Sequence, residues 1–264
     1  MRTAQVAPDA APGRPEFELL CELEPATGPD LTGVRRQIAW LTGIADSFLV
    51  PDNHLGRATV SSIAVAQEVA ALGGSAVACV NSRDRNLLGF RRDLLTAAAY
   101  GVSDFLFVRG DEPTIGTRST DLTVHKMIDE ARAYEARDFR IGATLRASGP
   151  IPDWKRKADF LLVQVDYDLA RLLAWRETVE FSGRIFARVM VMANASMAKR
   201  IAETIPEIGV PADLITALES NRDAGLDRAI ELLDAIRESG AFDGVHLVPV
   251  GRYADLAQRL RKSA

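Results

Sequence analysis

Arg109-Gly110-Asp111-Glu112-Pro113 follows directly on the apolar run Phe105-Leu106-Phe107-Val108. Strand formers that stop at charged residues and then Pro describe a buried parallel strand delivering polar groups at its carboxyl end. A second carboxylate stands in Cys21-Glu22-Leu23-Glu24-Pro25, at the end of another apolar run. Alternation places Glu22 and Glu24 on one face. A carboxylate there is costly to bury unless paired or used, and otherwise it is a solvated rim charge. To hold a proton at neutral pH it needs a raised pKa, which an apolar mouth can supply. Gln164 ends a third run, Phe160-Leu161-Leu162-Val163, and its amide can donate and accept at once. The cluster Lys155-Arg156-Lys157 is either a solvated helix face or a neutraliser of phosphates.

These residues need a scaffold that gathers strand ends. Strand-like runs are predicted at Glu18–Glu24, Ser47–Pro51, Ser75–Val80, Asp104–Arg109, Arg140–Leu145, Phe160–Asp166, Arg184–Met192 and Gly244–Val250. Helical segments are predicted at Thr32–Thr42, Ser61–Leu72, Asn86–Tyr100, Asp121–Ala136, Asp168–Phe181, Met197–Ile205, Arg222–Ser239 and Tyr253–Leu260. Leu226, Ala229, Ile230, Leu233 and Ile236 form an apolar stripe at helical period. Pro150 and Pro152 leave the fifth crossover room for only a short helix. Eight strands alternating with helices predict an α/β fold, a single-domain (β/α)8 TIM barrel over residues 16–264, after a disordered tail at residues 1–15. An open doubly wound sheet has the same strand count. In a barrel the carboxyl ends of the strands carry the chemistry.

Composition narrows the function. The chain has 264 residues, 47% hydrophobic and 26% charged, which suits one large soluble core. A net charge of −4 argues against a nucleic-acid partner, and no apolar run is long enough to span a membrane. No signal peptide is expected, and Cys21 and Cys79 read as buried free thiols of a reducing cytoplasm. Three His without a Cys/His cluster argue against a metal site. There is neither a Gly-x-Gly-x-x-Gly after a strand nor a Gly-x-Ser-x-Gly elbow. His54 reads as a surface residue, and Asn81 to Asn86 as a helix cap with ion pairs or a site lining.

Glu22-Leu23-Glu24-Pro25, Ser82-Arg83-Asp84-Arg85-Asn86-Leu87-Leu88-Gly89, Asp93-Leu94-Leu95, Gly101-Val102, Arg109-Gly110-Asp111-Glu112-Pro113 and Lys155-Arg156-Lys157 followed by a strand ending in Gln164 occur in that order. In this the chain resembles the methylenetetrahydrofolate reductase family of flavin-dependent (β/α)8 barrels, over roughly Phe17 to Arg252. The resemblance implies an oxidoreductase that interconverts 5,10-methylene- and 5-methyltetrahydrofolate with FAD and NAD(P)H. It implies Glu22 as the general acid, Asp111 beside flavin and pterin, and Gln164 on the folate. It implies Arg109 and Gly110 near the flavin and Lys157 at the flavin phosphates. A homo-oligomer or a partner subunit is compatible with it.

The sequence also departs from the family. Val50-Pro51-Asp52-Asn53 replaces Thr-Tyr-Gly-Ala, Val77-Ala78-Cys79-Val80 replaces His-Leu-Thr-Cys, and the fifth loop is short. The folate-facing acids persist better than the flavin shell. A folate-binding or partner protein that has lost flavin and turnover is the competing expectation.

Overall fold

A computed structural model describes residues 16–263. The tail predicted at residues 1–15 lies outside the described residues. Eight parallel strands close into a barrel: β1 (Glu18–Glu22), β2 (Ser47–Val50), β3 (Ala76–Asn81), β4 (Asp104–Val108), β5 (Arg140–Leu145), β6 (Phe160–Val163), β7 (Arg184–Met190) and β8 (Gly244–Val248). Closure is made by β8 on β1, with Leu20 beside His246. This excludes the open sheet. All eight predicted strands are present: β5 has its predicted bounds, β3 is shifted by one residue, and the other six end one to three residues early.

The surrounding helices are α1 (Thr32–Leu41), α2 (Ser62–Ala71), α3 (Leu87–Tyr100), α4 (Val124–Arg132), α5 (Leu169–Glu177), α6 (Ala195–Thr204), α7 (Ala212–Ser220), α8 (Ala224–Ser239) and α9 (Tyr253–Ser263). Helix α4 starts three residues later than expected. Asp121 is used elsewhere: its carboxylate accepts from Leu87 N at 2.6 Å, and Thr123 caps α4 by accepting from Lys126 N at 3.2 Å. Helix α7 was not predicted. It begins after Pro211 and buries Leu214 and Leu218, one helical turn apart. The fifth crossover holds only a 3-10 turn over Asp153–Lys157, as its two prolines demand.

Strand alternation divides the core in two. Leu20, Leu49, Val77, Cys79, Leu106, Phe160, Leu162 and Phe186 fill the barrel interior. The intervening residues, such as Leu19, Cys21, Phe105, Phe107 and Ile185, pack against the helices. Phe160 and Phe186 meet edge to face at 5.9 Å and occupy the space that side chains on β5 and β8 would need. A Cβ on Gly142 would stand 2.2 Å from the Phe160 ring, and one on Gly244 would stand 2.8 Å from Phe186.

The amino-terminal end of the barrel is plugged by charge. Arg140 reaches Glu18 at 3.4 Å and Asp104 at 3.2 Å, Arg184 reaches Glu18 at 3.4 Å, and Ser47 Oγ donates to Glu18 at 2.8 Å. The two guanidinium groups also lie over Phe160 and Phe186. Buried ions survive only with such partners. A ligand of the barrel therefore has the carboxyl end as its way in.

Gly142→Ala is expected to destabilise the barrel by about 1–3 kcal/mol, because Phe160 is fully buried and has nowhere to retreat. Chemical denaturation of the variant checks this; unchanged stability would mean that the interior is loosely filled.

Candidate functional site

Beyond the apolar layers, the inward-facing residues become polar. Arg188 on β7 stands beside His246 on β8 in register. Its Nε donates to His246 Nδ1 at 2.9 Å, Nη1 to Gln164 Oε1 at 3.2 Å, and Nη2 to Glu22 Oε2 at 3.1 Å. One guanidinium thus joins the ends of β1, β6, β7 and β8. Glu22 and Gln164, both expected at the site, are brought together. Arg188 and His246 were not foreseen. Their signal was a cation and an imidazole at inward positions of otherwise apolar strands.

The electrostatics follow from burial and from Arg188. His246 is fully buried, and burial with the neighbouring guanidinium pushes its pKa down to about 4. It is therefore neutral at pH 7. Because Nδ1 accepts from Arg188, Nε2 carries the hydrogen. Nε2 lies 3.3 Å from Glu22 Oε2, close enough to stabilise the carboxylate but out of line for a full hydrogen bond. Burial alone would raise the Glu22 pKa. The His246 N–H and the Arg188 charge, with His54 behind them, outweigh it and hold the carboxyl at about 2. This corrects the expectation of a raised pKa: Glu22 is an ionised acceptor in the ligand-free chain. Cys79 faces the same interior, and burial first, then the Glu22 charge, pushes its thiol up.

Loops after β2, β3 and β4 form a rim tied by Arg83. Its side chain is buried; Nη1 donates to Asp111 O at 2.6 Å, Nη2 to Asn53 O at 3.2 Å, and the guanidinium pairs with Asp84 at 2.5 Å. Arg85 pairs with Asp52 and Asp93, each at 2.6 Å, and Asn86 caps α3 by accepting from Gly89 N. The Asn81–Asn86 block is thus the cap with ion pairs, and one of its arginines also organises the rim.

The remaining expected residues make other contacts. Asp111 lies on the rim, with Oδ2 accepting from Leu55 N at 3.1 Å. Leu55 itself is held at φ 54° and is 59% exposed. Among the described residues, no contact joins Asp111 to Glu22 or Gln164. Gly110 has φ +81°, and a Cβ there would stand 3.1 Å from Asn81 and 3.3 Å from Arg83, so protein already approaches it. Arg109 is exposed, and its guanidinium makes no hydrogen bond or ion pair with the described residues. Lys157 is not at this end of the barrel. It stands two residues before Asp159, whose N–H bonds Ile141 O near the start of β5, and its Nζ pairs with Asp129 at 2.6 Å.

A flavin dinucleotide does not fit this arrangement. Its expected phosphate cation is at the opposite end. The inward-facing strand positions above the Phe160–Phe186 layer, Glu22, Cys79, Asn81, Val108, Thr144, Arg188, His246 and Val248, include no Phe, Tyr or Trp on which a ring could stack. A polar heterocycle carrying both donors and acceptors fits better, because carboxylate, amide and guanidinium converge there.

No family model and no curated protein matches the chain. Solved structures do. An uncharacterised protein from Clostridium thermocellum that binds two copies of 5-methyl-5,6,7,8-tetrahydrofolic acid aligns at 10% identity over 94% of this chain and 95% of that one, with a TM-score of 0.64. EDTA monooxygenase from Chelativorans sp. BNC1 aligns at 10% identity over 95% and 94%, with a TM-score of 0.52. An active-site mutant of a β-1,3-glucanosyltransferase from Rhizomucor miehei aligns at 9% identity over 88% and 86%, also with a TM-score of 0.52. At such identities the likeness is one of fold.

Proposed function

We propose that the barrel mouth binds a tetrahydrofolate-type C1 carrier, and that the chain interconverts its 5,10-methylene and 5-methyl forms as an oxidoreductase using NAD(P)H. The observation that carries this reading is the convergence of Glu22, Gln164 and Arg188 on one mouth. A pterin ring offers adjacent ring N–H and amino donors that suit a carboxylate pairwise, and a carbonyl that suits a guanidinium or amide donor. The ordered motifs from Glu22 to Gln164 support the same reading, as does the shared fold with a protein that binds 5-methyltetrahydrofolate. The reduction needs one hydride and one proton. NAD(P)H supplies the hydride, and no step is drawn through a flavin. Glu22 is the proton-handling group; being ionised in the free chain, it must first take up the proton it gives.

The second reading is a folate-binding barrel without turnover. The ionised state of Glu22 favours it. Calorimetry with 5-methyltetrahydrofolate and an NAD(P)H-oxidation assay with the methylene form separate the two. Binding with turnover supports the first reading, and binding alone supports the second. Absence of binding removes both.

Glu22→Gln is expected to lower turnover by roughly 10²–10⁴-fold while the barrel stays folded. Turnover within a few-fold of wild type would take proton handling away from Glu22. Lys157→Ala is expected to leave folate affinity and turnover unchanged, since Lys157 forms only an exposed ion pair with Asp129 at the other end of the barrel. Neither wild type nor this variant is expected to quench FAD fluorescence saturably; quenching in wild type that the substitution weakens would restore Lys157 to a flavin site.

A further inference from the structure

We propose that Arg188 is the positioning and recognition residue of the mouth: it holds Glu22 and Gln164 in one rank and gives its unfilled N–H groups to a carbonyl oxygen on the ligand's ring. A guanidinium has five N–H donors in a fixed fork. Three are used, on His246, Gln164 and Glu22. The other two have no acceptor among the described residues. The side chain is 24% exposed, between the fully buried His246 and the exposed Gln164. The guanidinium is therefore anchored on one side and open on the other.

His246 fixes the direction of the fork. Its Nδ1 can accept from Arg188 Nε only while the ring is neutral, and burial keeps it so. With Nε held from below, the two Nη atoms are left to place the carboxylate of β1 and the amide that follows β6. A lysine at this position could not do the same, because its ammonium is a single point on a flexible stem. Bringing a ring carbonyl to the spare N–H groups divides the guanidinium's charge between two acceptors. That weakens its hold on Glu22 and moves the carboxyl toward taking up a proton when the ring is bound. The groups facing Glu22 are Arg188, His246, Cys79, His54 and Tyr253. Of these Arg188 alone is a permanent cation.

The ligand half of this inference rests on the folate reading, and the positioning half does not. The test uses Arg188→Met and Arg188→Lys in the full chain, with circular dichroism as the control for folding. The Glu22 carboxyl is followed by its carbon-13 shift, assigned with Glu22→Gln, and 5-methyltetrahydrofolate binding is followed by calorimetry. Arg188→Met is expected to raise the pH at which Glu22 titrates and to weaken binding about 10- to 100-fold. Arg188→Lys is expected to restore the titration largely, but not the affinity. An unmoved Glu22 titration in Arg188→Met overturns the positioning role, whether or not folate binds. Affinity within twofold of wild type in either folded variant overturns the recognition role. Should Arg188→Met not fold, Arg188→Lys decides alone, since it must lose affinity to sustain the proposal. Should wild type bind no 5-methyltetrahydrofolate, the folate reading and the recognition role fall together, and the titration still judges the positioning.

Discussion

A carboxylate inside an apolar barrel stays ionised only with a cation beside it. In this chain that cation is Arg188, and much of the mouth follows from where its fork points. Glu22 on β1 and Gln164 after β6 are far apart in sequence and lie on opposite sides of β7 and β8. They face each other because one planar group bonds both. His246 is the counterpart that burial allows: a neutral ring that accepts from Arg188 on one nitrogen and offers N–H toward Glu22 on the other. Arg188 without Glu22 would be an uncompensated charge, and Glu22 without Arg188 would be driven toward its neutral form.

The two ends of the barrel use the same chemistry to opposite effect. At the amino end, Glu18, Arg140, Arg184, Asp104 and Ser47 engage one another, and both guanidinium groups lie over aromatic rings that seal the interior. At the carboxyl end the polar residues are bonded from below and open above. Between the two lies the Phe160–Phe186 layer, which exists because Gly142 and Gly244 make room for it. That layer sets how deep a ligand can reach, and it leaves Glu22, Arg188 and His246 as the floor.

Strand count and the closed barrel were readable, because apolar runs ending in charge recur along the chain. Glu22 and Gln164 could be chosen for the same reason. What could not be read was how polar residues partner across strands. Arg188 sits in Arg184-Ile185-Phe186-Ala187-Arg188, where alternation marks it as inward but nothing local names its acceptors. The Glu22 pKa was misjudged for that reason: an apolar mouth raises it, a hidden arginine lowers it, and the second effect is larger. Lys157 was misplaced by treating nearness to β6 as nearness to the mouth. A residue just before a parallel strand stands at its amino end, and the return from Leu145 brings Lys157 down there. The unforeseen α7 had a legible start in Pro211, but it buries only two leucines at one-turn spacing.

The shape of the mouth comes from the contrast between its two sides. On one side, Arg83 ties three loops together through Asn53, Asp84 and Asp111, and Leu55 beside them has a left-handed conformation with its side chain exposed. Such backbone is unfavourable for leucine and persists only where neighbours impose it, as the Asp111 carboxylate does here. On the other side, the residues between Leu145 and Phe160 cross back to the amino end through a short 3-10 turn. Thr144 and Gln164 point inward and are nonetheless exposed. A hydrogen-bonded rim facing these exposed residues gives a flat ring a surface to lie against and a direction from which to enter. In the folate reading, the ring would cover Gln164 and Arg188 itself, doing for the site what a longer fifth loop would otherwise do.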